Sequence, residues 1–411
     1  MTQGVTAAKA VPAATPAVVR AANSERPDMT IKTEAWVLYA GDGGAPQRAE
    51  LKREEFTFDD ISSEEVLARP LYGCWEGNMG HALDRKPVDI ARLRGEDKVV
   101  FGNAGVLEII EVGSEVTTVK PGDKAILFCN GIWDRFGYPK KIYGFDCPNT
   151  IGVLAKKIKL HQKQVIKIPA NNKYEMERWA AFSLRYVTAW SNWRLAFGML
   201  RMQLTESELP DPVVWGWGGG VSLAELHLAH LNGCRTFQVN SRADRNKMAT
   251  DLGITAIDRN EFPELNYDEK LFKSDPDYKA RYMESEKKFL DVVNDLTNGQ
   301  GVNVFLDYVG SPVIRATLKA MARQGVLATA GWKEGMQMWF MRAIECIDRH
   351  QHVHTHYARY SEGVQAVNFA VANEWLPTVD SRIYTFDEIP QLAADYDRGD
   401  FTYFPVFKVN D

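Results

Sequence analysis

Cysteine is scarce in this chain of 411 residues, and the cysteines that it has are far apart. No Cys-x-x-Cys pair and no closely spaced quartet occurs among the five, which are Cys74, Cys129, Cys147, Cys234 and Cys346. Such spacing encodes neither a disulfide framework nor a structural zinc lobe. It fits a reducing compartment, and we therefore expect a cytoplasmic protein.

Long hydrophobic runs and a basic stripe are also missing. No stretch approaches the roughly 18 uninterrupted apolar residues that suggest a membrane span. The net charge is −5, without the clustered Lys and Arg that mark a surface for nucleic acid or anionic lipid. We expect neither nucleic acid nor a membrane as a partner.

Large side chains are sparse in residues 1–28, which are mostly Ala, Pro, Val and Thr. A segment of this composition cannot bury enough apolar surface to order itself, so we expect a disordered tail. A secretory signal is the alternative, although Pro12, Pro16 and Arg20 interrupt any hydrophobic region.

Two kinds of pattern follow the tail. Short apolar runs separated by glycine, with the turn Pro121-Gly122-Asp123, predict a mostly β unit up to about residue 170. From Tyr174 onward, strand and helix patterns alternate as far as an apolar run at 325–330, and they include a strand at 235–240 and a long charged helix at 278–296. This alternation predicts an α/β fold with βαβ units on a parallel sheet. A last apolar run, 404–409, is expected to return to the first unit.

A glycine-rich run, Val213 to Ser222, lies at the first strand-to-helix turn of that alternation. Glycines let a backbone turn sharply and let a pyrophosphate approach its N–H groups, with a helix N-terminus behind them. The run therefore predicts a dinucleotide site, while a glycine-rich packing turn without a ligand is the alternative.

A second motif makes a family resemblance specific. The stretch Val112-Gly113-Ser114-Glu115-Val116, continued by Lys120-Pro121-Gly122-Asp123, resembles the V-G-x-x-V-x-x-x-K-x-G-D-x-V turn of the medium-chain dehydrogenases/reductases. The resemblance covers about residues 34–409. It implies a GroES-like, mostly β catalytic domain at 29–183, completed by 345–411, and a Rossmann-type doubly wound parallel sheet at 184–344.

Within that superfamily the chain resembles the crotonyl-CoA carboxylase/reductase and enoyl-thioester reductase branch. The residues that carry this resemblance are Val214-Trp215-Gly216, Ile257-Asp258-Arg259-Asn260, the long insertion 274–296, Ile142-Tyr143-Gly144-Phe145-Asp146, and His352-Val353-His354-Thr355-His356-Tyr357-Ala358. Ser222 departs from the pattern, because it occupies the place of the last glycine of the cofactor turn.

NADPH is the expected cofactor. An acid at the end of the second strand would repel a 2′-phosphate, and this chain has Asn240-Ser241-Arg242-Ala243-Asp244-Arg245 there. Alternatively, the two arginines form only a solvated helix start. The expected cofactor-binding residues are Gly216, Gly218, Gly219, Gly220, Val221, Ser241, Arg242, Arg245, Gly310 and Gly331.

No metal is expected. Zinc-dependent relatives bind the ion through a cysteine, a Gly-His-Glu histidine and a later cysteine or acid. Cys74 fits the first position, but Gly102-Asn103-Ala104 and Leu184 stand at the others. One ligand cannot hold a catalytic zinc, which needs three from the protein.

The resemblance also implies the residues of the reaction centre. Phe145 and Asp146 match a Phe-Glu pair, His356 matches a histidine, and Tyr72 falls where an asparagine is expected. We therefore expect Tyr72, Asp146 and His356 to be catalytic, and the substrate to contact Phe145 and the segment that holds Trp75, Glu76 and Asn78. The histidines at 350, 352, 354 and 356 alternate along one strand face, so a metal site or a purely structural role are the rival interpretations.

These observations predict an NADPH-dependent, zinc-independent reductase of a 2-enoyl thioester carried by CoA or a carrier protein, acting as a homo-oligomer. A reductive carboxylase, a quinone or enone reductase, and a non-catalytic NADPH-binding homologue are the alternatives.

Overall fold

The computed structural model describes residues 30–330, 342–355 and 357–411. Its strands are β1 (Thr30–Tyr39), β2 (Lys52–Asp59), β3 (Glu65–Cys74), β4 (Lys98–Val99), β5 (Gly105–Val112), β6 (Lys124–Leu127), β7 (Asn130–Trp133), β8 (Pro139–Ile142), β9 (Ile158–His161), β10 (Val165–Lys167), β11 (Val213–Trp217), β12 (Arg235–Asn240), β13 (Thr255–Asp258), β14 (Val302–Leu306), β15 (Met321–Thr329), β16 (His352–Thr355), β17 (Ile383–Tyr384) and β18 (Val406–Lys408).

Its α-helices are α1 (Gly77–Asp84), α2 (Ile90–Arg94), α3 (Met176–Gln203), α4 (Gly220–Leu231), α5 (Ala243–Asp251), α6 (Glu269–Ser274), α7 (Pro276–Thr297), α8 (Ile314–Ala320), α9 (Tyr360–Asn373) and α10 (Ile389–Arg398). In the part of the chain that the structure describes, no helix combines the length and the apolar composition that a membrane crossing needs.

Six strands form a parallel sheet in the order β13-β12-β11-β14-β15-β16. The central strands β11 and β14 are buried along their whole length, as expected for parallel strands covered by helices on both faces. The predicted α/β fold with a Rossmann-type sheet is confirmed. The sheet extends to β16, which lies beyond the predicted domain boundary at residue 344.

A second sheet, mainly antiparallel, has the order β10-β6-β5-β3-β18-β17, and β9 also pairs with β3. Val406 of β18 lies opposite Cys74 at the end of β3. The last strand of the chain is thus hydrogen-bonded to a strand of the first unit, and the segment before β18 runs close to the end of β3. The domain boundaries themselves remain a prediction.

Helix α3 connects the two sheets. One buried apolar cluster extends from Val106 of β5 through Phe182 and Tyr186 of α3 to Val214 of β11. The hydroxyl of Ser183 in the same helix accepts a hydrogen bond from the N–H of Gly105 at 2.8 Å. Because α3 packs on both sheets, it fixes where the end of β3 lies relative to the turn after β11.

Candidate active site

The glycine-rich turn runs from β11 into α4. A Cβ on Gly216 would lie 2.2 Å from Oγ of Ser222, and a Cβ on Gly218 would lie 2.3 Å from Oδ1 of Asn240. Gly219 has a φ of +151° and open space at its Cβ position. Only glycine adopts this conformation without strain. The turn is therefore closely packed at Gly216 and Gly218, as the turn between a strand and a cofactor-binding helix requires, while a side chain at Gly219 would meet no neighbour.

The segment between α10 and β18 lies against this turn. We call residues 399–404 the C-terminal strap. Arg245 donates from Nε to the carbonyl of Thr402 at 2.7 Å and from Nη2 to the carbonyl of Phe401 at 3.2 Å. Its guanidinium also lies 5.0 Å from the ring centre of Tyr403. Arg245, expected to bind a 2′-phosphate, is thus engaged by the strap.

Arg242 also contacts the strap. Its Nη1 donates to the carbonyl of Gly399 at 2.5 Å, and its Nε and Nη2 form a two-pronged ion pair with Asp244 at 3.0 and 2.6 Å. The side chain of Arg242 remains 38% exposed, so solvent and small solutes reach it. The nearby Ser241 is exposed, and its carbonyl accepts from Nδ2 of Asn260 at 2.9 Å.

Tyr403 is the strap residue that reaches the turn itself. Its hydroxyl donates to Oδ1 of Asn240 at 2.7 Å, and a backbone hydrogen bond links the same phenol to Gly219. Burial raises the phenol pKa, so the group is a neutral hydroxyl at physiological pH. Sequence analysis missed Tyr403, since nothing in its local pattern indicates a partner at the end of β12.

A buried ion pair lies beside the turn. Arg185 of α3 donates from Nε to Glu76 at 2.6 Å and from Nη2 to the carbonyl of Trp75 at 3.0 Å, and its Nη1 donates to the carbonyl of Tyr403. Burial raises the pKa of Glu76, and the pairing with Arg185 opposes that rise. The thiol of Cys74 donates to the carbonyl of Trp75 at 3.9 Å, and burial raises its pKa.

Arg185 also lies next to the glycines: its Nη1 is 3.0 Å from where a Cβ on Gly220 would be. One guanidinium therefore contacts the end of β3, the strap and the cofactor turn. Sequence analysis missed it, although an arginine between the buried Phe182 and Tyr186 of a helix indicates a buried partner.

Asp146, expected to be catalytic, has the hydroxyl-bearing Tyr357 as a neighbour. Tyr357 is 50% exposed. The partial burial of its phenol raises the pKa of that group, and the nearby Cys129 and Asp146 raise it by smaller amounts. Asp146 accepts from the N–H of Ile142 at 2.6 Å and lies 3.5 Å from Nζ of Lys141. Asp146 thus holds a turn after β8, and Tyr357 is a neighbouring hydroxyl that sequence analysis did not select.

The turn after β14 is held by Asp307. Its carboxylate accepts from the N–H groups of Val309 and Gly310 at 3.0 and 2.8 Å and from the hydroxyl of Thr317 at 3.0 Å. That hydroxyl also accepts from Nε1 of Trp217 at 2.7 Å. Burial raises the pKa of Asp307 to about 6. The expected cofactor residue Gly310 lies in this turn, while Val221 lies in the first turn of α4.

Other expected residues lie apart from the glycine turn. Tyr72 hydrogen-bonds Glu177, and its charged neighbours are Lys408 and Asp411. Phe145 is buried in the hydrophobic core of the β unit. Tyr72 therefore lies at the start of α3.

Trp75 is fully buried against Phe101, with ring centres 6.3 Å apart. Asn78 lies in α1, and its buried Oδ1 has no hydrogen-bond partner among the described residues. His356 and Gly331 fall outside the described residues. Within the described ranges no three His, Cys, Asp or Glu side chains converge as a metal site requires, and chemistry without zinc stays a prediction.

No protein-family model matches the chain. It is 22% identical over 306 residues to crotonyl-CoA reductase of Streptomyces collinus, covering 72% of this chain and 64% of that protein. It is 23% identical over 277 residues to acryloyl-coenzyme A reductase of Metallosphaera sedula, covering 62% of this chain and 68% of that one. The chain thus spans slightly less than two thirds of the Streptomyces relative.

Solved structures agree over nearly the whole chain. A crotonyl-CoA carboxylase/reductase superposes with a TM-score of 0.74 at 19% identity, covering 92% of this chain and 88% of the other. A 2-octenoyl-CoA carboxylase reductase, in complex with NADP and 2-octenoyl-CoA, gives a TM-score of 0.74 at 18% identity, covering 94% and 88%.

The chain has the fold of the medium-chain dehydrogenases/reductases, a Rossmann-type domain joined to a GroES-like one. Within that class it resembles the crotonyl-CoA carboxylase/reductases, as its sequence motifs predict.

Proposed function

We propose that this protein is an NADPH-dependent reductase that adds hydride to the β-carbon of a 2-enoyl thioester without zinc. The observation that carries the proposal is the glycine turn at the head of the parallel sheet, where Gly216 and Gly218 leave no room for a side chain and the buried Glu76–Arg185 pair lies alongside. The names of two relatives support the thioester, since they are a crotonyl-CoA reductase and an acryloyl-coenzyme A reductase.

The end of β12 supports NADPH over NADH. Asn240 and Ser241 stand where an acid would hydrogen-bond a free ribose and repel a 2′-phosphate. Arg242 is the better candidate for the phosphate, because it is partly exposed while Arg245 donates to two strap carbonyls. The NADP bound in a structural neighbour agrees with this choice.

When bound, NADPH would supply hydride at C4 for the β-carbon. The electron pair of the alkene then moves toward the thioester carbonyl as an enolate, which hydrogen-bond donors stabilise. A proton must finally reach the α-carbon. We propose His356 as its source, with the exposed hydroxyl of Tyr357 beside Asp146 as the second candidate.

Plain reduction is proposed over carboxylation. The carboxylate of Asp146 accepts a hydrogen bond from the N–H of Ile142 and pairs with Lys141. The side chain of Tyr72 is directed toward Glu177. Neither side chain offers the free amide or carboxylate that would hold carbon dioxide beside the enolate.

The test is NADPH oxidation by the full chain with crotonyl-CoA, followed at 340 nm, with and without bicarbonate. Butyryl-CoA as the only product in both reactions is the expected result. Ethylmalonyl-CoA in the presence of bicarbonate would establish carboxylation instead. Turnover of a quinone but not of crotonyl-CoA, or NADPH binding without any turnover, would refute the proposed activity.

Arg185→Lys and Arg194→Lys form a matched pair of variants on α3. Arg185 is buried with Glu76, whereas Arg194 is exposed and bonds Gln365. Lys cannot reproduce three directed guanidinium bonds, so Arg185→Lys should lower kcat/KM at least tenfold and Arg194→Lys should leave it unchanged.

A further inference from the structure

The phenol of Tyr403 occupies the end of the helix where a dinucleotide would bind. The first N–H groups of α4 have no partner within the helix, and a diphosphate is the ligand that such a helix end takes after a glycine turn. The phenol lies beside this helix end instead: its hydroxyl donates to Oδ1 of Asn240, the atom that packs against Gly218. We propose that Tyr403 determines how tightly the chain binds a dinucleotide, because its hydroxyl must leave before the diphosphate can reach the turn.

This inference rests on the proposed function, since it concerns the cofactor site. Tyr403 is only 2% exposed and its hydroxyl is bonded to Asn240, so a diphosphate that reaches the turn beside Asn240 must displace that hydroxyl. The neighbouring Phe404 closes the turn further: its ring is 3.0 Å from where a Cβ on Gly220 would be. The strap and the diphosphate therefore compete.

The backbone of the strap is held mainly by side chains, while its Tyr403 and Phe404 rings are buried in the core. It lies between α10 and β18 and belongs to no helix or strand. Its carbonyls at Gly399, Phe401 and Thr402 accept from long arginine side chains, and the N–H of Thr402 donates to the carboxylate of Asp380 at 3.0 Å. Side chains can follow a small backbone shift, whereas a strand ladder would have to break.

Displacement of the strap also frees a cation. Nη1 of Arg185 donates to the carbonyl of Tyr403, while its Nε stays with Glu76. When that carbonyl withdraws, Nη1 is left beside Gly220, where it faces the incoming diphosphate. A guanidinium held on one side by a carboxylate is suited to bind a phosphate oxygen on the other.

The experiment compares Tyr403→Phe with Tyr384→Phe in the full chain. Tyr384 is a matched control, because its buried hydroxyl donates to Asp395 away from the glycine turn. Affinity is measured by fluorescence titration with NADPH, and by calorimetry with ADP-ribose and with adenosine 2′-monophosphate. Tyr403→Phe removes one competing hydrogen bond, so its affinity for NADPH and ADP-ribose should rise about three- to tenfold. Its affinity for adenosine 2′-monophosphate should not change. Tyr384→Phe should bind all three ligands as the parent does.

Equal or weaker NADPH binding by a folded Tyr403→Phe variant would overturn the inference. The hydroxyl would then either have no effect on cofactor binding or bind the cofactor itself. Hydrogen exchange of the unmodified protein gives an independent readout. NADPH should speed exchange at the amides of residues 401–404, and slower exchange there would contradict displacement of the strap. Failure of every form to bind any dinucleotide would refute the proposed function instead.

Discussion

Replacing Ser222 by alanine should stabilise this protein. Ser222 is fully buried in the first turn of α4, and its Oγ has no hydrogen-bond partner among the described residues. The same oxygen is 2.2 Å from where a Cβ on Gly216 would lie. The hydroxyl therefore loses its hydration on folding, and the close approach of helix and strand needs only the small size of the residue.

The magnitude follows from the cost of an unpaired buried hydroxyl, which is about 1–3 kcal/mol. Alanine keeps the Cβ of Ser222 and has a better helix propensity, by a few tenths of a kcal/mol. The expected gain in the free energy of unfolding is therefore about 1–2 kcal/mol. In a domain of this size each kcal/mol raises Tm by roughly 2–4 °C.

The assay is thermal and urea unfolding of the full chain, with Ser285→Ala as the matched control. Ser285 is also buried, but its hydroxyl accepts from the N–H of Glu264 at 3.2 Å, so its removal should cost about 1 kcal/mol. Opposite signs for the two variants are expected. A Ser222→Ala variant that is less stable than the parent would refute the reasoning.

A double-mutant cycle with Gly216→Ala tests the geometry as well. A methyl at 216 meets Oγ of Ser222 before it meets Leu226, which is 3.2 Å away. Gly216→Ala should therefore be less harmful in the Ser222→Ala background, with a coupling of about 1 kcal/mol or more. If the two changes in the free energy of unfolding were strictly additive, the hydroxyl of Ser222 would not be what fills the space next to Gly216.

Three further predictions concern buried and cofactor-site charges. Glu76→Gln should lower the free energy of unfolding by about 3–5 kcal/mol in urea denaturation, since it leaves the Arg185 cation uncompensated, and adding Arg185→Met should restore most of the loss. The pKa of Asp307 is raised to about 6 in the folded protein, so folding favours its protonated form. The stability that this protonation contributes is present below pH 4 and is lost as the pH rises through 6. Relative to Asp307→Asn, the free energy of unfolding of the parent should fall by up to about 3 kcal/mol between pH 4 and 7. Arg242→Ala should raise KM for NADPH about tenfold and leave KM for NADH unchanged in steady-state assays, and an equal change for both would exclude a 2′-phosphate contact.

The parallel sheet could be predicted from the sequence because its signals are local. The strand expected at 235–240 is β12 to the residue, and the long charged helix expected at 278–296 is α7, which begins two residues earlier and ends one residue later. Proline at the first position of α7, after the capping Asp275, explains the earlier start. Apolar runs and caps carry such information within a few residues of where it is used.

The surroundings of the turn could not be predicted, because their partners are distant in the chain. Arg245 and Thr402 are separated by 157 positions and Arg185 and Tyr403 by 218. An arginine shortly after an Asn-Ser strand end has the same local pattern whether it binds a phosphate or a carbonyl. The return of β18 to β3 brings the strap to the turn, and that return is set by tertiary packing.

The Glu76–Arg185 pair is better explained by the segments that it positions than by a contribution to the free energy of unfolding. Burying both charges costs several kcal/mol, which their attraction repays only with good geometry and further hydrogen bonds. Here the guanidinium has both: its bonds run to Glu76 and Trp75 after β3 and to the carbonyl of Tyr403 in the strap, and it lies against the glycine turn at Gly220. In the proposed reaction, hydride transfer requires donor and acceptor carbons about 3–3.5 Å apart. An apolar pair could fill the same volume, but it could not join the end of β3 to the strap beside the cofactor turn with directed bonds.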